Sequence, residues 1–166
     1  MFLRDIRPAD LEACIRMRGD PAMMADLGGP LPRDGIERSF HREVAWAEAG
    51  TAWIKMILPT ESSPVAGTVT VWQHDGLSEI GWLVLPEFQG RGLAGQAVRE
   101  ILHQAGEDGR WGVIHAYPGT ANGPSNSICR SAGFTFVEEL DLEFAGRTLR
   151  SNHWLVDPGR ARAGQP

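Results

Sequence analysis

Residues 80–95 read IGWLVLPEFQGRGLAG. An apolar run stops at Pro86, which cannot donate to a central ladder. A glycine-rich turn follows, and Leu93, Ala97, Val98, Ile101 and Leu102 then recur at helical spacing. Strand, turn and helix in this order leave the first amides of the helix without intrahelical acceptors. The helix dipole adds partial positive charge there, and small residues let a phosphate approach the backbone. Residues 90–95, Gly-Arg-Gly-Leu-Ala-Gly, also satisfy G-x-G-x-x-G. A dinucleotide-binding reading needs that motif at the head of a βα series, with an acidic residue about 20 positions later. Here strands cluster before the motif, and the later position falls in His115-Ala116-Tyr117, which holds no acid. A P-loop reading fails because no Gly-Lys-[Ser/Thr] closes the turn. Taken alone, the loop stands as either a phosphate cradle or an ordinary tight turn.

Working outward, Phe2–Arg7 reads as a strand and Pro8 as the first turn of a helix that places Leu11, Cys14 and Ile15 on one face. The Gly/Pro-rich residues 19–33 form a loop. Asp34 and Glu37 have capping-box spacing for a second helix, with Ile36, Phe40, Val44 and Ala47 as its apolar stripe and Gly50 as its stop. Thr51–Leu58, Val65–Gln73 and Glu79–Leu85 read as three strands. After the central helix come a strand at Trp111–Tyr117, a short helix at Ser125–Ala132 and strands at Phe134–Leu142 and Arg147–Val156. The order is β-α-α-β-β-β-α-β-α-β-β, a mixed α/β architecture. One domain over 1–157 and a flexible tail over 158–166 are expected.

The chain has 166 residues, a net charge of −5 and a pI near 5.5, so no basic footprint points to nucleic acid. Cys14 and Cys129 are the only cysteines, with no C-x-x-C spacing, so neither a disulfide framework nor a metal site is indicated. Charge appears by Arg4, and no apolar run approaches the roughly 20 residues a bilayer requires. A cytoplasmic protein without membrane partners is the expectation.

The flanks decide between the two readings of the loop. Ile80 to Ala94, with its strand, Pro86 stop and Gln89-Gly90-Arg91-Gly92-Leu93-Ala94, resembles the fourth strand and Q-x-x-G-x-[G/A] loop of the GNAT superfamily of N-acetyltransferases. A second block, Asn122-Gly123-Pro124-Ser125 through Gly133-Phe134, resembles the N-x-x-S … G-F segment of its RimJ/RimL-like branch, as does Leu27-Gly28-Gly29-Pro30. The element order over about residues 2–156 follows the same family.

The resemblance implies a GNAT fold: a mixed, mostly antiparallel sheet of about six to seven strands, four helices, and fourth and fifth strands that splay. It implies acetyl-CoA as co-substrate, no metal, and transfer of acetyl to a primary amine: a small molecule, an antibiotic or a peptide N-terminus. Leu83, Val84 and Leu85 would offer backbone groups to the pantetheine arm, as a ligand adds to a strand edge, and one of their amides would polarise the thioester carbonyl. Gln89, Gly90, Arg91, Gly92, Leu93, Ala94 and Gly95 would hold the pyrophosphate. Asn122 would bind the pantetheine amides; Ser125 and Asn126 either touch the cofactor or only cap the following helix.

An alkyl ammonium must lose a proton before it attacks. By resemblance Glu79 is the leading base, against the reading of an exposed strand-end carboxylate; His74, Asp75 and His115 are weaker candidates. Many relatives protonate the leaving thiolate with a tyrosine; that position holds Cys129 here, either as an acid or as a small buried hydrophobe, and Tyr117 is the only tyrosine. The acceptor is expected between Met23, Met24, Leu27, Phe40, His41 and Trp46 on one side and Trp82, Phe144, Arg150, Asn152 and His153 on the other. A homodimer is compatible with the fold. The competing reading is a non-catalytic acyl-CoA-binding module with the same fold.

Overall fold

A computed structural model describes residues 1–144 and 146–160, the side chain of Phe144 excepted. The chain runs β1 (Phe2–Asp5), α1 (Leu11–Gly19), α2 (Arg33–Glu48), β2 (Trp53–Leu58), β3 (Gly67–His74), β4 (Leu77–Val84), α3 (Leu93–Asp108), β5 (Ile114–Ala116), α4 (Gly123–Ser131), β6 (Thr135–Phe144) and β7 (Arg147–Val156). The strands form one seven-stranded sheet in the order β1-β2-β3-β4-β5-β7-β6. All neighbours are antiparallel except β4 and β5, which are parallel and reached through α3. The expected GNAT architecture is therefore present, with four α-helices and seven strands among the described residues.

Two-residue alternation sorts the sheet into two faces. Val69, Val71, Ile80 and Val84 pack with Ala97, Val98 and Ile101 of α3 and with Cys129 of α4. On the other face Ile54, Met56 and Leu85 pack with Cys14 and Met17 of α1 and Ile36, Phe40 and Val44 of α2. The stripe read from α3 is the buried one, extended by Ala105. Asp10, before α1, is a buried carboxylate held by the Arg4 guanidinium at 2.7 and 2.8 Å and the Arg7 amide at 2.8 Å, which ties β1 to the helical layer.

Three local expectations are corrected. Helix α2 starts at Arg33 behind Pro32, so Asp34 and Glu37 are not a capping box. They bond along the helix instead, Asp34 to Arg38 at 2.8 Å and Glu37 to Arg33 at 2.9 Å. Strand β5 is three residues, not seven: Gly112 turns the chain at φ +58° before it, and Pro118 has no amide to extend it. Of the expected tail, 161–166 lie outside the described residues, whereas Pro158 is buried against α3, where a Cβ on Gly106 would meet its carbonyl oxygen at 2.7 Å. No helix among the described residues is long and apolar enough to cross a membrane.

Candidate active site

Pairing between β4 and β5 is confined to Ser78↔Ile114 and Glu79↔His115. Beyond Glu79, β4 continues to Val84 paired with β3 alone, while β5 ends at Ala116. The result is a wedge whose apex lies at Glu79 and His115 and whose mouth opens toward the turn before α3. One wall is a strand edge with backbone groups free for a ligand, which suits an extended, amide-bearing arm.

At the mouth, Gly90 and Gly92 both take φ +73°, a conformation that disfavours side chains, and a Cβ at Gly90 would meet nothing within 4 Å. Gly92 is the N-cap of α3 and provides no side-chain cap. The first bond closing the helix runs from the Gln96 amide to the Gly92 carbonyl at 3.0 Å, which leaves the amides of Leu93, Ala94 and Gly95 without a helical acceptor. This open, uncapped terminus of a 16-residue helix fits a pyrophosphate. Two side chains of the loop act on the loop itself. Gln89 Nε2 donates to the Val84 carbonyl at 2.9 Å, and Arg91 donates to the Glu87 carbonyl at 2.9 Å while lying over the Phe88 ring.

The three strand residues expected to offer backbone groups are not equivalent. The Leu85 amide donates to the Ala66 carbonyl at 2.8 Å, and since backbone groups alternate in direction along an antiparallel strand, Leu83 likewise faces β3 and only Val84 of the three faces the wedge. Across the wedge, Asn122 caps α4: its Oδ1 accepts the Ser125 amide at 3.0 Å, and its Nδ2 donates to nothing among the described residues. Asn126 has no such freedom. Its Nδ2 donates to the carbonyls of Gly119 and Asn122 at 2.9 and 2.8 Å, and its Oδ1 accepts Asn152 Nδ2 and Trp154 Nε1 at 2.8 and 3.0 Å. Buried and fully bonded, it fastens α4 to β7, and the cofactor contact considered for it is withdrawn.

Glu79 stands at the apex on the α1/α2 face. Its Oε2 lies 2.7 Å from His74 Nε2 across the β3–β4 hairpin. Burial pushes its carboxyl above the usual value, while His74 and then His115 pull the other way. On the same face His115 Nδ1 bonds His153 Nε2 at 2.8 Å, and Tyr117 stacks on His153 with ring centres 4.8 Å apart. Burial lowers the pKa of both histidines, with the His153 charge a further cause for His115; burial, then Glu79 and Glu138, raises that of Tyr117. Sequence reasoning missed the His115–His153 pair; the alternation that turns both to one face was the available signal, but pairing across 38 positions needs the register.

Cys129 is fully buried among α3, β4 and β7, and burial pushes its thiol up to about 12. Ordinary thiols titrate near ~8.5, so Cys129 would keep its proton rather than give it to a leaving thiolate; it packs. The expected acceptor walls are corrected likewise. Met24 and Phe40 are core, Trp46 and His41 are exposed on α2, Trp82 packs toward α3, and Arg150 is exposed and bonded to Glu139 and Asp141. Asn152 turns to Asn126; Phe144 lies outside the described side chains. The loop before α2 does reach this side, Asp26 lying against Gly119. Among the described residues no three His, Cys, Asp or Glu side chains are grouped to hold a metal ion.

Residues 1–135 match the model of the acetyltransferase (GNAT) domain. The fold is similar to a GNAT-family acetyltransferase from Bacillus anthracis, at 15% identity and TM-score 0.79 over 94% of this chain and 93% of that one. A spermidine N-acetyltransferase from Vibrio cholerae in complex with CoA and spermine matches at 16% identity and TM-score 0.78 over 95% of each chain. An acetyltransferase from Salmonella typhimurium that modifies the N-terminal serine of ribosomal protein L7/L12 matches at 16% identity and TM-score 0.77 over 93% of each chain.

Proposed function

The chain belongs to the GNAT acetyltransferase family, and from that premise we propose that it moves an acetyl group directly from acetyl-CoA to a primary amine. The observation that carries the proposal is the wedge itself: a carboxylate at its apex, a free strand edge along one wall and an uncapped helix N-terminus at its mouth. Amides of residues 90–95 would hold the pyrophosphate, with the charge of the helix terminus in support. Asn122 Nδ2 would donate to a pantetheine carbonyl, and the Val84 amide would donate to the thioester oxygen and strengthen as it becomes an oxyanion.

Glu79 would take one proton from the acceptor ammonium. The raised pKa given by its burial makes it a better base than an exposed glutamate. The freed amine forms a bond to the carbonyl carbon; the carbon–sulfur bond breaks with its electron pair on sulfur. The amine's second proton ends on that sulfur, so no dedicated side-chain acid is required.

Two acceptors follow from the relatives: a polyamine and a serine-initiated peptide. The test is thiol release from acetyl-CoA with spermidine, a serine-initiated peptide and a wider amine panel, alongside CoA and NAD melting curves. Acceptor-dependent thiol release with stabilisation by CoA alone is expected. CoA binding without any acceptor-dependent release would replace the transferase with an acyl-CoA-binding module; stabilisation by NAD alone would remove both.

A further inference from the structure

Acetyl transfer to an ammonium releases one proton to solution per turnover. Of the two protons the nitrogen loses, one goes to sulfur and the other must leave the site. Glu79, having taken the proton that does not go to sulfur, must discard it before the next cycle, and its side chain is only 23% exposed. Its one side-chain hydrogen bond among the described residues is to His74 Nε2 at 2.7 Å. His74 is 45% exposed, and its other nitrogen lies 3.9 Å from a carboxylate oxygen of Asp75, which is 99% exposed. The ring is held in this line by stacking on Trp72, with centres 6.4 Å apart and planes inclined by 26°.

The hairpin builds this line. Asp75 and Gly76, at φ +48° and +78°, form the two-residue turn between β3 and β4. That turn sets His74 diagonal to Glu79, within reach of long side chains on one face. The groups that face the Glu79–His74 pair are Asp75 at the turn and His115 on β5, with His153 of β7 and Tyr117 behind His115. His115 is the poorer outlet, since its Nδ1 is engaged by His153 and burial disfavours its charged form.

We propose that His74 is the proton outlet of the site, taking the proton from Glu79 at Nε2 and releasing one from Nδ1 to water beside Asp75. Carboxylic acid and neutral imidazole become carboxylate and imidazolium, and the imidazolium then gives its Nδ1 proton to solvent. No oxidant or further reactant enters. The inference rests on the reading of Glu79 as base.

The test compares His74→Ala, His74→Gln and Glu79→Gln, with spermidine and the serine-initiated peptide as acceptors. Expected for His74→Ala is a kcat lower by roughly tenfold or more, an unchanged KM for acetyl-CoA, and recovery on adding free imidazole, which the exposed position admits. His74→Gln, which can bond Glu79 without carrying a proton, is expected to stay impaired. Wild-type kcat in His74→Gln would reduce His74 to an orienting contact and overturn the outlet. So would a His74→Ala loss that imidazole leaves untouched. Glu79→Gln separates the premises: if it alone is impaired, the base stands and the outlet falls; if it turns over like wild type, the base reading falls too.

Discussion

Glu79 concentrates two opposing demands in one carboxyl. Burial raises its pKa above the ordinary 4.5, so the stability it contributes is complete below that pH and is lost as pH rises through the raised value. Once ionised, the buried group is therefore a stability cost kept for chemistry. Glu79→Gln is expected to lower kcat about 10²–10⁴-fold while raising Tm at pH 7, by no more than a few °C in a chain of this size. Steady-state kinetics and melting curves on the same preparation check both halves; a lower Tm would mean that the bond to His74 outweighs burial. Cys129 shows the same physics without function. Its place in the sequence admitted an acid, but its thiol faces only core.

At the scale of elements, the first turn of α3 and the cap of α4 face each other across the wedge, and each has a test. Gly92→Asp adds a negative charge and a Cβ at φ +73°, where the helix terminus is otherwise bare. CoA affinity is expected to fall roughly tenfold or more, about 1.4 kcal/mol per tenfold, by calorimetric titration; unchanged affinity would remove the phosphate role of the turn. Asn126→Leu deletes four bonds and strands the buried Trp154 Nε1 and the Asn152 amide. Each buried group left unsatisfied costs about 1–3 kcal/mol, and a Tm lower by several °C is expected. The element pattern was legible where it was local: β4, its Pro86 stop and the α3 stripe were read from neighbouring residues. Asn126 was not, because an asparagine four residues after a cap looks the same whether it meets a ligand or β7.

For the molecule as a whole, acid stability follows from the His115–His153 pair that joins β5 to β7. Both pKa values lie below the ordinary 6.5 in the folded chain, so unfolding takes up protons on the acid side of that value. Their contribution is present above pH 6.5 and lost as pH falls through that value toward the folded pKa values, opposite in sign to Glu79. In a His115→Gln/His153→Gln double variant, Tm is expected to fall less between pH 6.5 and 5 than in wild type; parallel Tm–pH curves would show that the pair does not carry this term. The sequence by itself determined the order of elements and the glycine-rich turn into α3, because each is a contiguous pattern; the cap of α4 was read at Ser125, whereas Asn122 takes it. Only the tertiary structure decided where β4 parts from β5, that Leu85 is engaged by Ala66, and that Cys129 and Asn126 serve packing. It also decided that Glu79 stands between His74 and His115. Those facts depend on which strands lie side by side and which groups lose water, and chain order fixes neither.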